Sequence, residues 1–89
     1  MSKERVERIQ ATLTAEFAPE HLEIIDDGHL HVGHPGALEG KGHFRVQIVS
    51  GKFIGLTTIK RHRMVFAAVS ELMKTEIHAL SIDARAPGE

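Results

Sequence analysis

Cysteine is absent from this 89-residue chain. With no thiol of its own the chain forms no disulfide, and by itself it cannot supply the sulfur ligands of an ordinary iron–sulfur centre or of a Cys-rich zinc site. Tryptophan and tyrosine are missing too, and only four phenylalanines are present, which leaves little for stacking on nucleic-acid bases. Charge of one sign is also lacking: 11 Lys and Arg stand against 12 Asp and Glu, for a formal net charge of −1. No global field therefore favours nucleic acid or an anionic membrane, although a local basic patch is compatible with that balance. No apolar run approaches the roughly 20 residues of a membrane span. The start, Met1-Ser2-Lys3-Glu4-Arg5, leads directly into an amphipathic segment rather than an apolar export stretch, so the expected location is cytoplasmic.

What the chain does have is histidine, seven in all. Three of them, His29, His31 and His34, fall in the short stretch from Asp26 to Gly36. Imidazole is the commonest metal ligand and titrates near neutral pH, so such a cluster points to metal or proton chemistry. A chain of this length forms one domain with one modest core, here residues 1–89. That leaves no room for a separate substrate domain. No serine, threonine or lysine has a neighbourhood that would activate it as a nucleophile, and an enzyme is not expected.

Val6, Ile9, Leu13 and Phe17 recur at helical spacing, with Glu4, Arg5, Glu7, Arg8 and Glu16 on the other face. The pattern predicts an amphipathic helix over residues 3–17, stopped by Pro19. Residues 21–26 read as a short strand, and residues 42–49 alternate with Phe44, Val46 and Ile48 on one face, so the two predict a hairpin. The connection between them, residues 27–41, contains Gly28, Gly33, Gly36, Gly40 and Pro35. Connections of that length are uncommon in compact domains unless they serve a function, and this one holds the three clustered histidines. Residues 50–54 predict a turn, and Thr57 or Thr58 caps a helix running from 58 to about 74. Residues 77–84 form a last alternating strand with His78 at its entrance, and residues 85–89 read as a frayed tail. The expected core is Phe17, Ile24, Phe44, Val46, Ile48, Phe66, Val69, Leu80 and Ile82.

Several of these segments together carry a family resemblance. Leu22-Glu23-Ile24-Ile25-Asp26-Asp27, the loop pattern His29-x-His31-x-Gly33-His34, His43-Phe44-x-Val46, Ile48-Val49-Ser50, Phe53-x-Gly55, Arg61-His62-Arg63 and Ile77-His78-Ala79-Leu80-Ser81-Ile82 resemble the BolA family in order and spacing. Gly28 departs from it, standing where a serine is common, as do Thr75-Glu76, where a glycine is often found. The resemblance implies an α+β, KH-like (class II) domain of order αββ(α)αβ, with a three-stranded mixed sheet and its helices on one face. It also implies a heterodimer with a monothiol glutaredoxin of the CGFS type. In such pairs a [2Fe-2S] cluster is shared between the glutaredoxin cysteine, glutathione and the BolA-like partner, for iron–sulfur cluster trafficking or iron and redox regulation. The ligands implied for this chain are His34 and His78, with His29 and His31 as less favoured substitutes.

Without the family, His78 fits a strand histidine hydrogen-bonded to neighbouring backbone better than it fits a ligand. His29, His31 and His34 fit solvated loop histidines that would take up zinc in vitro. The second constellation is basic: Lys60, Arg61 and Arg63, with Lys52 upstream. Near a helix N-terminus such a group can hold phosphate, and KH-like folds often bind nucleic acid. The alternative function is therefore a DNA-binding transcriptional regulator. Against it stand the balanced charge, the missing aromatics and Phe53-Ile54-Gly55-Leu56 where a KH clamp needs Gly-x-x-Gly. The same basic turn could instead meet an acidic glutaredoxin surface, which would unite it with the histidines.

Overall fold

The computed structural model describes residues 2–27 and 42–89. Their order is α1 (Ser2–Phe17), β1 (His21–Asp26), β2 (Gly42–Val49), a 3-10 turn (Gly51–Phe53), α2 (Thr58–Ala68), α3 (Ser70–Thr75) and β3 (Ile77–Arg85). Ile9, Leu13 and Phe17 of α1 are buried, which is the outcome of their helical spacing. The helix ends because Ala18 turns to φ 43° ahead of Pro19, and α-helical backbone is disfavoured before proline. The Ala18 N–H still donates to the Thr14 carbonyl (3.0 Å).

The sheet order is β1-β2-β3. β1 runs antiparallel to β2, with Leu22 opposite Ile48 and Ile24 opposite Val46. β3 runs parallel to β2, with Phe44 beside Leu80 and Val46 beside Ile82. Period-2 alternation thus collects Leu22, Ile24, Phe44, Val46, Ile48, Leu80 and Ile82 on one face, where they pack with Ile9, Leu13 and Phe17. The opposite face carries His43, Arg45 and Gln47 on β2 and Ala79, Ser81 and Asp83 on β3. The α+β fold with a mixed three-stranded sheet is the one expected from the family resemblance.

Three local expectations need correction. The helix expected over residues 58–74 is interrupted at Val69, whose backbone moves to φ −102°, ψ 16°. Val69 is β-branched, which weakens helix at that point, and the break leaves it fully buried. Phe66, expected in the core, is 39% exposed. The inward stripe of α2 is set by Arg61, Val65 and then Val69, each four residues apart and all buried, so Phe66 lies one step, about 100°, off that stripe. Phe53, by contrast, is fully buried, its ring 5.1 Å from that of Phe17. The Ser50 hydroxyl fixes this corner by donating to the Phe17 carbonyl (2.7 Å) and accepting from the Lys52 N–H.

The third correction concerns the tail. Arg85 still belongs to β3, Ala86 is buried, and Glu89 folds back on the Arg61 guanidinium. A carboxylate that also accepts from the Ala86 N–H (3.1 Å) closes this end. The expected fraying is replaced by specific bonds.

Candidate functional site

His78 sits at the one place where β3 breaks its alternation. The register with β2 passes from Gly42 beside Ile77 directly to His43 beside Ala79, leaving His78 as an inserted residue. Ile77 is buried, His78 and Ala79 are both exposed, and alternation resumes at Leu80. Such a bulge re-aims a side chain without moving the rest of the strand. Here it keeps Ile77 in the core and turns His78 away from it, where its ring lies 5.0 Å from that of His43, tilted by 53°.

The same end of the sheet is where residues 28–41 leave and return. The Asp27 N–H donates to the His43 carbonyl (2.8 Å), and the Arg45 side chain grips the Asp27 carboxylate through Nε (2.6 Å) and a second nitrogen (3.2 Å). On the returning side the Gly42 N–H donates to the Glu76 carbonyl (3.0 Å). Glu76 in turn pairs through its side chain with Arg8 (2.6 Å) and Arg5 (3.7 Å) of α1. A Cβ at Gly42 would stand 2.5 Å from the Phe44 ring, so any side chain there would force the ring to shift. His29, His31 and His34 lie outside the described residues. Both ends of the segment that bears them are nevertheless fixed next to His43 and His78.

The basic constellation is dispersed by the fold. Arg61 faces inward, only 9% exposed, with bonds to the Ala84 carbonyl (3.2 Å) and to both oxygens of Glu89. That hydrogen bond, followed by the Ala86 N–H, holds the Glu89 carboxyl down at about 2. The Arg61 guanidinium is raised by the same partner. Lys52 is spent on the Glu16 carbonyl (2.6 Å). Lys60 and Arg63 alone of the four stand exposed on α2. Thr58, Arg61, His62, Asp83, Arg85 and Glu89 line a shallow concavity of about 410 Å³ at this end. Arg61 reaches β3 at Ala84, six residues beyond His78, or about 20 Å along the strand. Arg61 and His78 therefore lie at opposite ends of β3.

His43 entered the sequence reading only as part of a family motif, and the Asp27–Arg45 pair was not singled out. Strand parity held a signal: the apolar residues Ile77 and Leu80 are three apart, whereas Leu80, Ile82 and Ala84 are two apart, and an odd step inside a strand marks an inserted residue. Among the described residues no group of three or more His, Cys, Asp or Glu side chains could hold a metal ion. His78 needs donors from elsewhere to complete any such site. No helix among the described residues is long and apolar enough to cross a membrane.

Comparison with known proteins agrees with this architecture. The structure is similar to that of BolA1 from Arabidopsis thaliana, with a TM-score of 0.82 and 38% identity, covering 96% of this chain and 94% of the other. The SufE-like protein 1 of Arabidopsis thaliana, chloroplastic/mitochondrial, is 37% identical over 92% of this chain, which spans only 24% of that longer protein. The DNA-binding transcriptional regulator BolA of Escherichia coli K12 is 37% identical, over 85% of this chain and 70% of its own length. Residues 13–89 match the BolA-like protein family, and with that match the chain belongs to it.

Proposed function

We propose that this chain is a non-enzymatic adaptor that pairs with a monothiol glutaredoxin and completes the ligand set of a bridging [2Fe-2S] cluster through His78 and His34. The observation that carries the reading is the bulge. It takes His78 out of the helix-covered core and leaves it, exposed, at the end of the sheet where the histidine-bearing segment is anchored on both sides. The donor chemistry fits the group, because a cysteine-free chain rich in histidine offers imidazoles, and thiolates must then come from the glutaredoxin and glutathione. Two imidazoles in place of two thiolates raise the reduction potential of the cluster and make its retention sensitive to acid. A related BolA domain inside a SufE-like protein also supports an iron–sulfur setting.

His78 is the stronger ligand in this reading, since a strand holds it while His34 must be brought in by residues 28–41. The test is to mix the chain with a cluster-loaded CGFS glutaredoxin and glutathione and record visible absorption and circular dichroism. A new spectrum is expected for the wild type, no such spectrum for His78→Ala, and a more labile complex for His34→Ala, rescued in part by His29 or His31. An unchanged spectrum in His78→Ala would overturn the assignment.

A DNA-binding regulator is the second reading, favoured by the name of the Escherichia coli relative. It has lost its central residue, because Arg61 is bonded to Glu89 and Ala84 rather than offered to a phosphate. Lys60 and Arg63 remain, and phosphate contacts through them would make affinity fall by about 0.9 log units per contact for each tenfold rise in salt.

A further inference from the structure

Most of the described cations are engaged. Among the described residues, Arg5 and Arg8 pair with Glu76, Arg45 with Asp27, Arg61 with Glu89, Lys74 with Glu71 and Arg85 with Asp83, while Lys52 holds a backbone carbonyl. Apart from Lys3 near the chain start, the cations in no such bond are Lys60 and Arg63, both exposed on α2. The same helix face carries large apolar side chains in water: Ile59 is 64% exposed and Phe66 is 39% exposed. Ile59, Arg63 and Phe66 stand at i, i+4 and i+7, so they form one stripe about 10 Å long, with Lys60 beside it. Ile54, in the turn leading toward the helix, is 66% exposed as well.

Single exposed apolar residues are ordinary. Their coincidence with Lys60 and Arg63 is not, since among the described residues the other cations apart from Lys3 are bonded. α2 contains no acidic residue at all, so nothing on its own helix can neutralise the stripe. Duplex DNA would meet the cations but leave Ile59 and Phe66 facing sugar and phosphate. A bilayer would need a broader apolar face than one short stripe. An amphipathic helix with apolar residues at i, i+3, i+4 and i+7 and carboxylates beside them satisfies both components, since it covers two turns of α2 and answers its charge.

We infer that the outer face of α2 is a docking surface for an acidic amphipathic helix of a protein partner, separate from the surface that carries His78. Arg61, at the start of α2, meets β3 about 20 Å along the strand from His78, so one adaptor molecule can hold a thiol-bearing partner at the His78 end and a second protein on the outer face of α2.

The probe is a synthetic peptide of about 14 residues with leucine at the four anchor positions and glutamate elsewhere, titrated into the full chain while amide resonances are followed by NMR. Shifts centred on residues 58–68 are expected. Affinity should fall about tenfold in Ile59→Ser and again in Lys60→Glu with Arg63→Glu, and should weaken with salt and with glutamine in place of glutamate. Ile59 is exposed, so Ile59→Ser keeps the wild-type melting temperature, and it keeps the His78-dependent spectrum with glutaredoxin. Loss of that spectrum in Ile59→Ser would overturn the separation of the two surfaces, whereas failure of His78→Ala to affect it bears only on the cluster. Absence of shifts in α2, equal affinity across the variants, or saturation of the same face by a 20-base-pair duplex or by phosphatidylglycerol vesicles in preference to the peptide would overturn the docking surface.

Discussion

The two ends of β3 treat their polar residues in opposite ways. At the start of the strand, a bulge expels His78 from the core and leaves it exposed beside His43. At the far end alternation is regular, and Arg61, Ala86 and Glu89 close over the strand with a network of bonds. Arginines stand at both ends, Arg45 with Asp27 at the first and Arg61 with Glu89 at the second. A charged side chain at an apolar stripe position is used to complete the packing, and an imidazole at an irregular strand position is exposed. Exposure here follows from local backbone geometry rather than from charge.

The sharpest way to break this comparison is a reciprocal pair of variants. His78→Ala should abolish the glutaredoxin-dependent spectrum while changing stability by no more than about 0.5 kcal/mol, as expected for an exposed side chain. Arg61→Met should do the reverse, lowering the melting temperature while the spectrum survives. Thermal melting and visible circular dichroism on the same samples decide it, and a joint loss of both properties in either variant would erase the distinction between the ends.

Next in size is Gly42→Ala. Its added methyl would meet the Phe44 ring at 2.5 Å, and overpacking of a buried ring costs roughly 1–3 kcal/mol. Chemical denaturation should show that loss. Because Gly42 adjoins the bulge, the cluster complex should also become more labile.

Acid tests the closed end. Glu89 has its carboxyl lowered to about 2 from an ordinary value of 4.5. A depressed folded-state value means the stabilisation is complete above about pH 4.5 and is lost as pH falls toward 2. Glu89→Gln should therefore lower the melting temperature at neutral pH and flatten its decline over that window, measured by thermal scans from pH 6 to 2. A variant that kept the wild-type decline would show that Glu89 is not the acid-sensitive group. The smallest effect is expected from Glu71→Gln, which opens an exposed pair with Lys74 and should change stability by less than about 0.5 kcal/mol.

How much of this was legible in the sequence depended on the range of the interaction. The helical spacing of Ile9, Leu13 and Phe17 and the alternation of Phe44, Val46 and Ile48 are local patterns, and they led to the correct elements and most of the core. The Arg61–Glu89 closure joins residues 28 positions apart, and nothing local distinguishes an arginine that turns inward from one that meets solvent. Phe53 was left out of the expected core because a turn carries no burial signal, whereas this turn is folded onto Phe17. Phe66 was misplaced by one helical step. The candidate ligand His78 was found through family resemblance, and the odd spacing between Ile77 and Leu80 was the one physical mark of its special backbone position.

The mixed sheet also sets an order of assembly. β1 and β2 are joined antiparallel as successive strands, but β3 reaches β2 only through a crossover of residues 50–76, and parallel pairing of that kind is inherently slow to form. β3 also leaves the ribosome after the strands it must join. The bulge exists only once β3 is paired, so His78 acquires its orientation only when β3 joins the sheet. An unfinished chain cannot present it, and a partner that selects that geometry thereby selects completed molecules.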